Sequence, residues 1–169
     1  MNQQSLDTAI ILKPDLYHIK NIFSSDEIFD ISERLESETE WNQLSLQEIQ
    51  SRQTLAWKDH GLLDHVWCLI NNLDFSAFGL KFTHVSIWKD QHPYCITKHI
   101  DNDQVKAAMQ IYLSSGPEYM GTWFDDVEIP FVPNTGYIMN NKNKLEHQMK
   151  HPVPRNLIRY SLYALFDYV

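Results

Sequence analysis

The sequence predicts a mainly β, α+β fold in which N-terminal helices pack on one sheet of a jelly roll. Two observations support this fold class. Short runs rich in β-branched and aromatic residues recur from residue 81 to the C-terminus, with turn signals at 115–117 and 133–136. Helical periodicity is confined to the part of the chain before those runs. We therefore expect a core jelly roll over 81–169 and a supporting region of helices and strands over 1–80.

The length of 169 residues suits one domain with a buried core, because a domain of this size removes roughly 70% of its unfolded surface from water. The apolar fraction of 43% is that of a globular protein. No internal repeat, charge block or glycine- and serine-rich linker interrupts the chain. We therefore expect 1–169 to be a single domain.

The first half is predicted to contain two amphipathic helices. Ser24 and Glu27 have the spacing of a capping box, and apolar residues at helical spacing follow them, which predicts a helix over about 25–38. A second apolar stripe predicts a helix over 62–73. The segment 10–22 alternates loosely and is expected to be extended.

The second half is predicted to consist of short strands. Each run is rich in residues that favour a pleated, half-buried surface, and each ends at a cluster of turn-forming residues. The expected strands cover 82–88, 105–113, 123–124, 127–132, 137–139 and 157–168.

Composition argues against several classes of function. Acidic residues outnumber basic ones by 22 to 14, whereas nucleic acid and anionic lipid attract an excess of Lys and Arg. The chain has no glycine-rich phosphate loop. It has only two cysteines, no signal-peptide pattern, and no apolar run near the ~20 residues that span a bilayer. We expect a cytoplasmic protein with neither a nucleic-acid nor a membrane partner.

The segment around His99 and Asp101 carries the strongest chemical signal. Residues two apart on an extended backbone point to the same side, so this imidazole and this carboxylate can converge on one metal ion. A His-x-Asp triplet also arises often by chance, and its simplest alternative is a pair of solvated polar residues. A third ligand is available at either His147 or His151. His151 precedes Pro152, where the backbone is restricted.

Arg159 and Ser161 share one side of the last predicted strand, which is otherwise strongly apolar. A buried arginine is costly unless an anion pairs with it. If the strand is central, a fixed guanidinium and a hydroxyl on its inner face suit a carboxylate held through two hydrogen bonds. The alternative is an arginine on an edge strand that reaches solvent.

The order of these residues resembles the iron(II)- and 2-oxoglutarate-dependent dioxygenases. That family has His-x-Asp, a long gap, a second His and then Arg-x-Ser. Four further segments resemble strands and turns of its prolyl-4-hydroxylase-like branch, namely 107–114, 121–124, 134–137 and 151–154. The resemblance covers 88–166, just under half of the chain. It implies a double-stranded β-helix, which is the cupin-like form of the jelly roll.

The resemblance also implies a metal site. His99, Asp101 and His147 would bind Fe(II), with O2 and 2-oxoglutarate as co-substrates. His147 is preferred to His151, because its distance from Gly136 leaves room for one strand and one turn, as the family requires. The gap between His147 and the following Arg-x-Ser is slightly longer than usual, which predicts a bulge or loop after it.

A co-substrate site is implied as well. Arg159 and Ser161 would hold the far carboxylate of 2-oxoglutarate. Tyr94 would donate its hydroxyl to the same molecule, and its alternative role is that of a packed aromatic ring.

The implied activity is hydroxylation of a C–H bond in a protein or peptide side chain or in a small molecule, with release of succinate and CO2. The nucleic-acid demethylase branch is disfavoured, since it carries a second arginine shortly after the position of Arg159, where this chain has Leu165 and Phe166. Two alternatives are a cupin-like metalloprotein that does not use 2-oxoglutarate and a non-catalytic jelly-roll binding module.

A pH dependence follows from the proposed ligands. Histidines must be neutral to bind a metal, so activity is expected to fall on the acid side. A rate that stays constant through the histidine titration range would contradict this.

Overall fold

The computed structural model describes residues 4–5, 9–43, 51–55 and 61–169. The helices in this part of the chain are α1 (Ser25–Ser37) and α2 (Gly61–Asn71). The strands are β1 (Gln4–Ser5), β2 (Ile10–Lys13), β3 (Leu16–Lys20), β4 (Trp41–Gln43), β5 (Arg52–Leu55), β6 (Leu73–Asp74), β7 (Leu80–Asp90), β8 (Ala107–Tyr112), β9 (Thr122–Phe124), β10 (Val127–Ile129), β11 (Thr135–Asn140) and β12 (Arg159–Tyr168). The predicted mainly β, α+β fold is confirmed.

The helices begin and pack as their sequence patterns predict. Ser24 Oγ accepts a hydrogen bond from the Glu27 N–H at 3.3 Å, and Glu27 Oε2 accepts one from the Ser24 N–H at 2.7 Å. This capping box satisfies two N–H groups that the start of a helix leaves without partners. Both helices pack in one hydrophobic cluster with the large sheet, through Ile31, Leu35, Leu62, Leu63, Val66 and Ile70.

Eight strands form the large antiparallel sheet, in the order β2-β3-β11-β8-β12-β7-β5-β4. Strand β12 lies between β8 and β7, so it is central rather than at an edge. Tyr160 and Leu162 belong to the cluster under the helices. Because side chains alternate along a strand, Arg159, Ser161 and Tyr163 point to the other face. One face of this strand therefore lies in the hydrophobic core, and the other face carries polar residues.

A smaller layer faces that polar side. Strands β9 and β10 pair antiparallel, and the segments 94–99 and 147–153 extend the layer through isolated bridges and backbone hydrogen bonds. A second buried cluster joins the two layers and includes Tyr112, Phe124 and Tyr137. Two facing layers with side chains packed between them form the predicted jelly roll.

Three details differ from the sequence-based expectations or lie beyond them. The segment 10–22 is a hairpin rather than one extended run, because the chain turns at Asp15, whose φ is 65°. Strand β7 is longer than predicted at both ends and includes Asp90. No described helix has both the length and the hydrophobicity needed to cross a membrane. The assignment of 1–169 to a single domain stays a prediction.

Gly136 marks a close approach between β11 and β8. A Cβ at this position would lie 1.7 Å from the carbonyl oxygen of Gln110, a backbone atom within the sheet. Gly136→Ala is therefore expected to lower the free energy of unfolding by about 3 kcal/mol, at the upper end of the usual cost of overpacking. Urea denaturation measures this change. Gly61→Ala is the control, since its added Cβ meets no atom of the described residues within 4 Å. Equal losses of stability in the two variants would contradict the close contact at Gly136.

Candidate metal centre

An antiparallel bridge between the two layer segments brings two histidines together. The His99 N–H donates to His147 O at 3.0 Å, and the His147 N–H donates to His99 O at 2.9 Å. Residues that exchange both hydrogen bonds lie directly opposite each other. Their ring centroids are 4.2 Å apart. Backbone pairing therefore places the two imidazoles side by side.

Asp101 completes a group of three potential metal ligands. Its Oδ1 lies 3.5 Å from His99 Nε2 and 3.7 Å from His147 Nε2. One ligand atom from each residue lies within 4.8 Å of the others, and this is the one group of its kind among the described residues. Two imidazoles and one carboxylate are the donor set of non-haem iron(II) sites that keep open coordination positions. The residues present therefore fit a divalent transition metal.

Backbone carbonyls determine which nitrogen carries the hydrogen in each neutral histidine ring. His99 Nδ1 lies 2.9 Å from Thr97 O, and His147 Nδ1 lies 3.2 Å from Leu145 O. Because a carbonyl can only accept, each neutral ring carries its hydrogen on Nδ1 and keeps the lone pair on Nε2. Those Nε2 atoms are the ones nearest to Asp101, so both rings are already oriented to bind a metal.

The three groups influence one another's titration. Protonated His99 can donate a hydrogen bond to Asp101, which raises the pKa of His99, whereas burial lowers the pKa of His147. Burial acts to raise the pKa of Asp101, but the hydrogen bond from His99 and the charge of His147 lower it on balance. The carboxylate is therefore ionised at neutral pH, and protons compete with a metal mainly at His99.

Tyr163 donates a hydrogen bond to the Asp101 carboxylate. Its hydroxyl donates to Asp101 Oδ2 at 3.1 Å, which leaves Oδ1, the oxygen near both histidines, for a metal. The Trp88 ring stacks on the Tyr163 ring, with centroids 4.5 Å apart and an interplanar angle of 17°. No sequence motif marks Tyr163, although it follows Ser161 by two residues on the same face of β12.

Loss of this hydroxyl is expected to weaken metal binding. Tyr163→Phe should lower the affinity for Fe(II) or Mn²⁺ by about 10–100-fold, the usual effect of removing a hydrogen bond to a metal ligand. Competition with a chromogenic chelator measures the affinity. Tyr168→Phe is the matched control, because its hydroxyl donates to Asn140 Oδ1 and not to a ligand. Equal affinities in the two variants would show that Tyr163 does not position Asp101.

The triad opens onto a small cavity between the two layers. Its volume is about 50 Å³, which is room for a few water molecules. The lining includes the three triad residues together with Arg52, Trp88, Tyr94, Gln110, Thr122, Tyr137, Tyr163 and Arg159. The same cavity therefore borders the three potential metal ligands and two guanidinium groups.

Arg159 lies on the wall of this cavity and is 1% exposed. Its Nη1 donates to Asp90 Oδ2 at 2.7 Å, and its Nε donates to Met120 O at 3.1 Å. Burial acts against its charge, but the Asp90 carboxylate outweighs that effect and raises the pKa of Arg159. Asp90 therefore supplies part of the negative charge that the buried Arg159 guanidinium requires.

A second arginine shares the same carboxylate. Arg52 Nε and Nη2 donate to the two oxygens of Asp90 at 2.6 and 2.9 Å. The guanidinium carbon lies 3.8 Å from the ring centroid of Trp88 and 4.1 Å from that of Tyr94. Neither Arg52 nor Asp90 was a candidate from the sequence, because no local motif contains them.

The two hydroxyl groups that the sequence predicts as co-substrate contacts, those of Ser161 and Tyr94, differ in their position relative to the cavity. Ser161 is fully buried, accepts a hydrogen bond from Gln110 Nε2 at 3.1 Å, and is not among the residues that line the cavity. Gln110 Oε1 also accepts a hydrogen bond from Tyr137 at 2.9 Å. Tyr94 does line the cavity, and burial raises the pKa of its hydroxyl, which therefore stays protonated.

His151, the alternative third ligand, lies outside the triad. It is exposed, and its ring packs edge-on against Tyr119 with a centroid separation of 5.2 Å. The structure therefore brings His147, and not His151, next to Asp101.

Comparison with known proteins gives a likeness of fold. No protein-family model and no curated protein matches the sequence. A Pseudomonas putida prolyl-4-hydroxylase superposes with a TM-score of 0.66 at 16% identity, over 92% of this chain and 93% of that one. HygX from Streptomyces hygroscopicus, solved with nickel and 2-oxoglutarate, superposes with a TM-score of 0.67 at 10% identity, over 97% and 85%.

A prolyl hydroxylase from Trichoplax adhaerens, in complex with a hypoxia-inducible factor peptide fragment, is also similar. Its TM-score is 0.64 at 16% identity, over 90% of this chain and 83% of that one. These matches extend through the first half of the chain, where the sequence resembles no family. The chain therefore has the double-stranded β-helix fold of the iron(II)- and 2-oxoglutarate-dependent oxygenases, and its structural neighbours include their prolyl-4-hydroxylase-like branch.

Proposed function

We propose that this protein is an Fe(II)- and 2-oxoglutarate-dependent oxygenase that hydroxylates a C–H bond. One observation carries the proposal. Three side chains with the donor set of such a metal site converge within 4.8 Å, at a cavity whose wall also holds a buried arginine. A divalent metal beside a fixed cation suits a ligand with an anionic group at each end.

Each residue has a task in this proposal. His99, Asp101 and His147 would hold the metal, and Tyr163 keeps Asp101 in place through its hydrogen bond. When bound, Fe(II) with O2 and 2-oxoglutarate supplies the oxidising chemistry, which releases succinate and CO2 and leaves a hydroxyl group on the substrate.

The chain's other polar residues bind and orient the co-substrate. Arg159 pairs with its far carboxylate, and Ser161 and Tyr94 are proposed as further hydroxyl contacts. Ser161 does not line the cavity and is hydrogen-bonded to Gln110, so its contact with the co-substrate requires the Gln110 side chain to move. The aromatic side chains around the cavity lower the local dielectric, which strengthens each of these electrostatic contacts.

We infer that the substrate is a peptide side chain or a small molecule. The Trichoplax adhaerens neighbour was solved with a peptide and the Streptomyces hygroscopicus neighbour with hygromycin B, so this fold accepts both classes. The net charge of -8 argues against nucleic acid. A cytoplasmic location is part of the proposal, and the free thiols of Cys68 and Cys95 support it.

Succinate release tests the proposed activity. The protein is incubated with Fe(II), O2 and 2-oxoglutarate, alone and with panels of peptides, free amino acids and other small molecules. We expect slow succinate formation without substrate and a faster rate with the right substrate class. Absence of succinate throughout, from protein that retains bound iron, would contradict the oxygenase assignment.

Replacement of Arg159 separates use of 2-oxoglutarate from metal binding alone. Arg159→Ala is expected to weaken 2-oxoglutarate binding at least about 30-fold, since loss of one partner of a buried charge pair costs 2 kcal/mol or more. Metal affinity should be unchanged. Asp90 keeps Arg52 as partner, so the variant should fold.

The exposed Arg155 provides the matched control for this experiment. Arg155→Ala should bind 2-oxoglutarate as the wild type does. If Arg159→Ala also binds it normally, the site does not use 2-oxoglutarate in the proposed way, and a cupin-like metalloprotein becomes the better description.

A further inference from the structure

Three charged residues form one row across neighbouring strands beside the cavity. Asp90 on β7 is directly opposite Arg52 on β5 and Arg159 on β12. Asp90 Oδ2 accepts hydrogen bonds from both guanidinium groups, at 2.9 Å from Arg52 Nη2 and 2.7 Å from Arg159 Nη1. The carboxylate is thus shared between two cations.

Among the residues that the structure describes, this row has two cations and one anion, so it carries a net positive charge. Arg52, Asp90 and Arg159 are 5%, 0% and 1% exposed, so solvent does little to screen them. One carboxylate neutralises one guanidinium, which leaves a net charge of +1. Without Arg52, Asp90 and Arg159 would form a neutral pair with little attraction for an anion.

This positive charge is complementary to the negative charge of 2-oxoglutarate, the proposed co-substrate. Among the described residues, the charged groups lining the cavity are Asp101 and the two arginines, with the histidines neutral. Adding Asp90 brings the total to zero, and a divalent metal raises it to +2. A dicarboxylate then balances the site, one carboxylate against the metal and Asp101 and the other against the row. A buried site whose charges cancel avoids the large cost of isolated charges in a low dielectric.

We propose that Arg52 is a positioning residue of the co-substrate site, which acts by offsetting Asp90 and so leaves Arg159 able to attract a second carboxylate. This inference rests on the proposed function. The Arg52 guanidinium is held for this task by both Asp90 oxygens and by the rings of Trp88 and Tyr94. The contacts of Arg159 with Met120 and Asp90 use two of its five N–H groups, so donors remain for a ligand.

A charge-restoring pair of substitutions tests the inference. Oxygen-free, Mn²⁺-loaded protein is titrated with 2-oxoglutarate in a calorimeter, and then with 2-oxopentanoate, which lacks the far carboxylate. Arg52→Met keeps an apolar stem beside the aromatic rings but lowers the charge of the row from +1 to 0. We expect its affinity for 2-oxoglutarate to fall about 10- to 100-fold, while its affinity for 2-oxopentanoate stays within about twofold.

The second substitution makes the test independent of folding defects. Adding Asp90→Asn to Arg52→Met returns the row to +1, so affinity for 2-oxoglutarate should recover to within a few-fold of wild type. Arg52→Lys, which keeps the charge but not the two-pronged contact, should lose less than Arg52→Met. A thermal scan of each variant shows whether it is folded during the titration.

The outcomes distinguish the two proposals. If the wild type does not bind 2-oxoglutarate, the proposed function fails. If the wild type binds it and Arg52→Met binds equally well, Arg52 has no part in the site and this inference alone fails. If the double variant is weaker still, or if both ligands lose affinity in parallel, Arg52 acts only as a structural residue and the inference is again overturned.

Discussion

His147→Ala is expected to abolish specific metal binding and, with it, 2-oxoglutarate turnover. The substitution leaves one imidazole and one carboxylate, and these cannot occupy the three adjacent positions that hold a metal in an open site. Bound iron after gel filtration and succinate release measure the two effects. Near-native unfolding temperature would show that the loss does not come from unfolding of the buried site.

His151→Ala is the matched control, because His151 is the alternative ligand from the sequence and is exposed on the surface. It should bind iron and form succinate as the wild type does. If the two variants behaved in the opposite way, with His151→Ala inactive and His147→Ala normal, the ligand assignment would be wrong and the loop at 151 would have to move towards Asp101.

Asp90→Asn is expected to cause the largest loss of stability. Its carboxylate is fully buried and is the charged partner of two buried arginines, so its neutralisation removes the anion that both guanidinium groups share. Breaking a buried ion pair from one side costs about 3–5 kcal/mol. Urea denaturation at neutral pH measures the change in the free energy of unfolding.

Two companion variants show whether charge is the cause. Asp126→Asn removes an exposed carboxylate that pairs with Lys13, and it should leave stability unchanged within error. Arg52→Met added to Asp90→Asn removes one of the two unpaired cations, so it should recover part of the lost stability. An Asp90→Asn protein as stable as the wild type would mean that the row is not held together by its charges.

The alternating pattern of β12 explains why much of the site could be predicted from the sequence. An arginine and a serine two residues apart in an apolar run have to share one face, and the structure places Arg159 in the cavity wall accordingly. The same period of two places His99 and Asp101 on one side of their segment. These inferences depend on local geometry, which is visible in a sequence.

Arg52, Asp90 and Tyr163 could not be found in the same way. The contacts of Arg52 and Arg159 with Asp90 depend on the register of β7 with its two neighbours, which joins residues 38 and 69 positions apart. Asp90 lies at the end of a strand that the sequence predicted only to 88, and Arg52 lies in a segment without a clear pattern. The partner of Arg159 was therefore expected to be a ligand, whereas the chain itself provides a carboxylate.

The fold of the first half was also only partly predictable. The capping box and the apolar stripes located both helices, because those signals are local. The pairing of β5 with β7, which brings Arg52 to the cavity, connects two regions that share no sequence motif. The structural similarity to oxygenases extends over 90% or more of the chain, and this similarity is what assigns the first half to the same fold.

The most direct test of the central claim is an anaerobic absorbance titration of the Fe(II)-loaded protein with 2-oxoglutarate. If the triad holds iron with open positions and Arg159 anchors the far carboxylate, a visible charge-transfer band should appear and saturate at one equivalent of 2-oxoglutarate. The band should be absent in His147→Ala, and much higher concentrations should be needed in Arg159→Ala. An iron-loaded wild type that develops no band at any concentration would contradict the claim that this site binds 2-oxoglutarate.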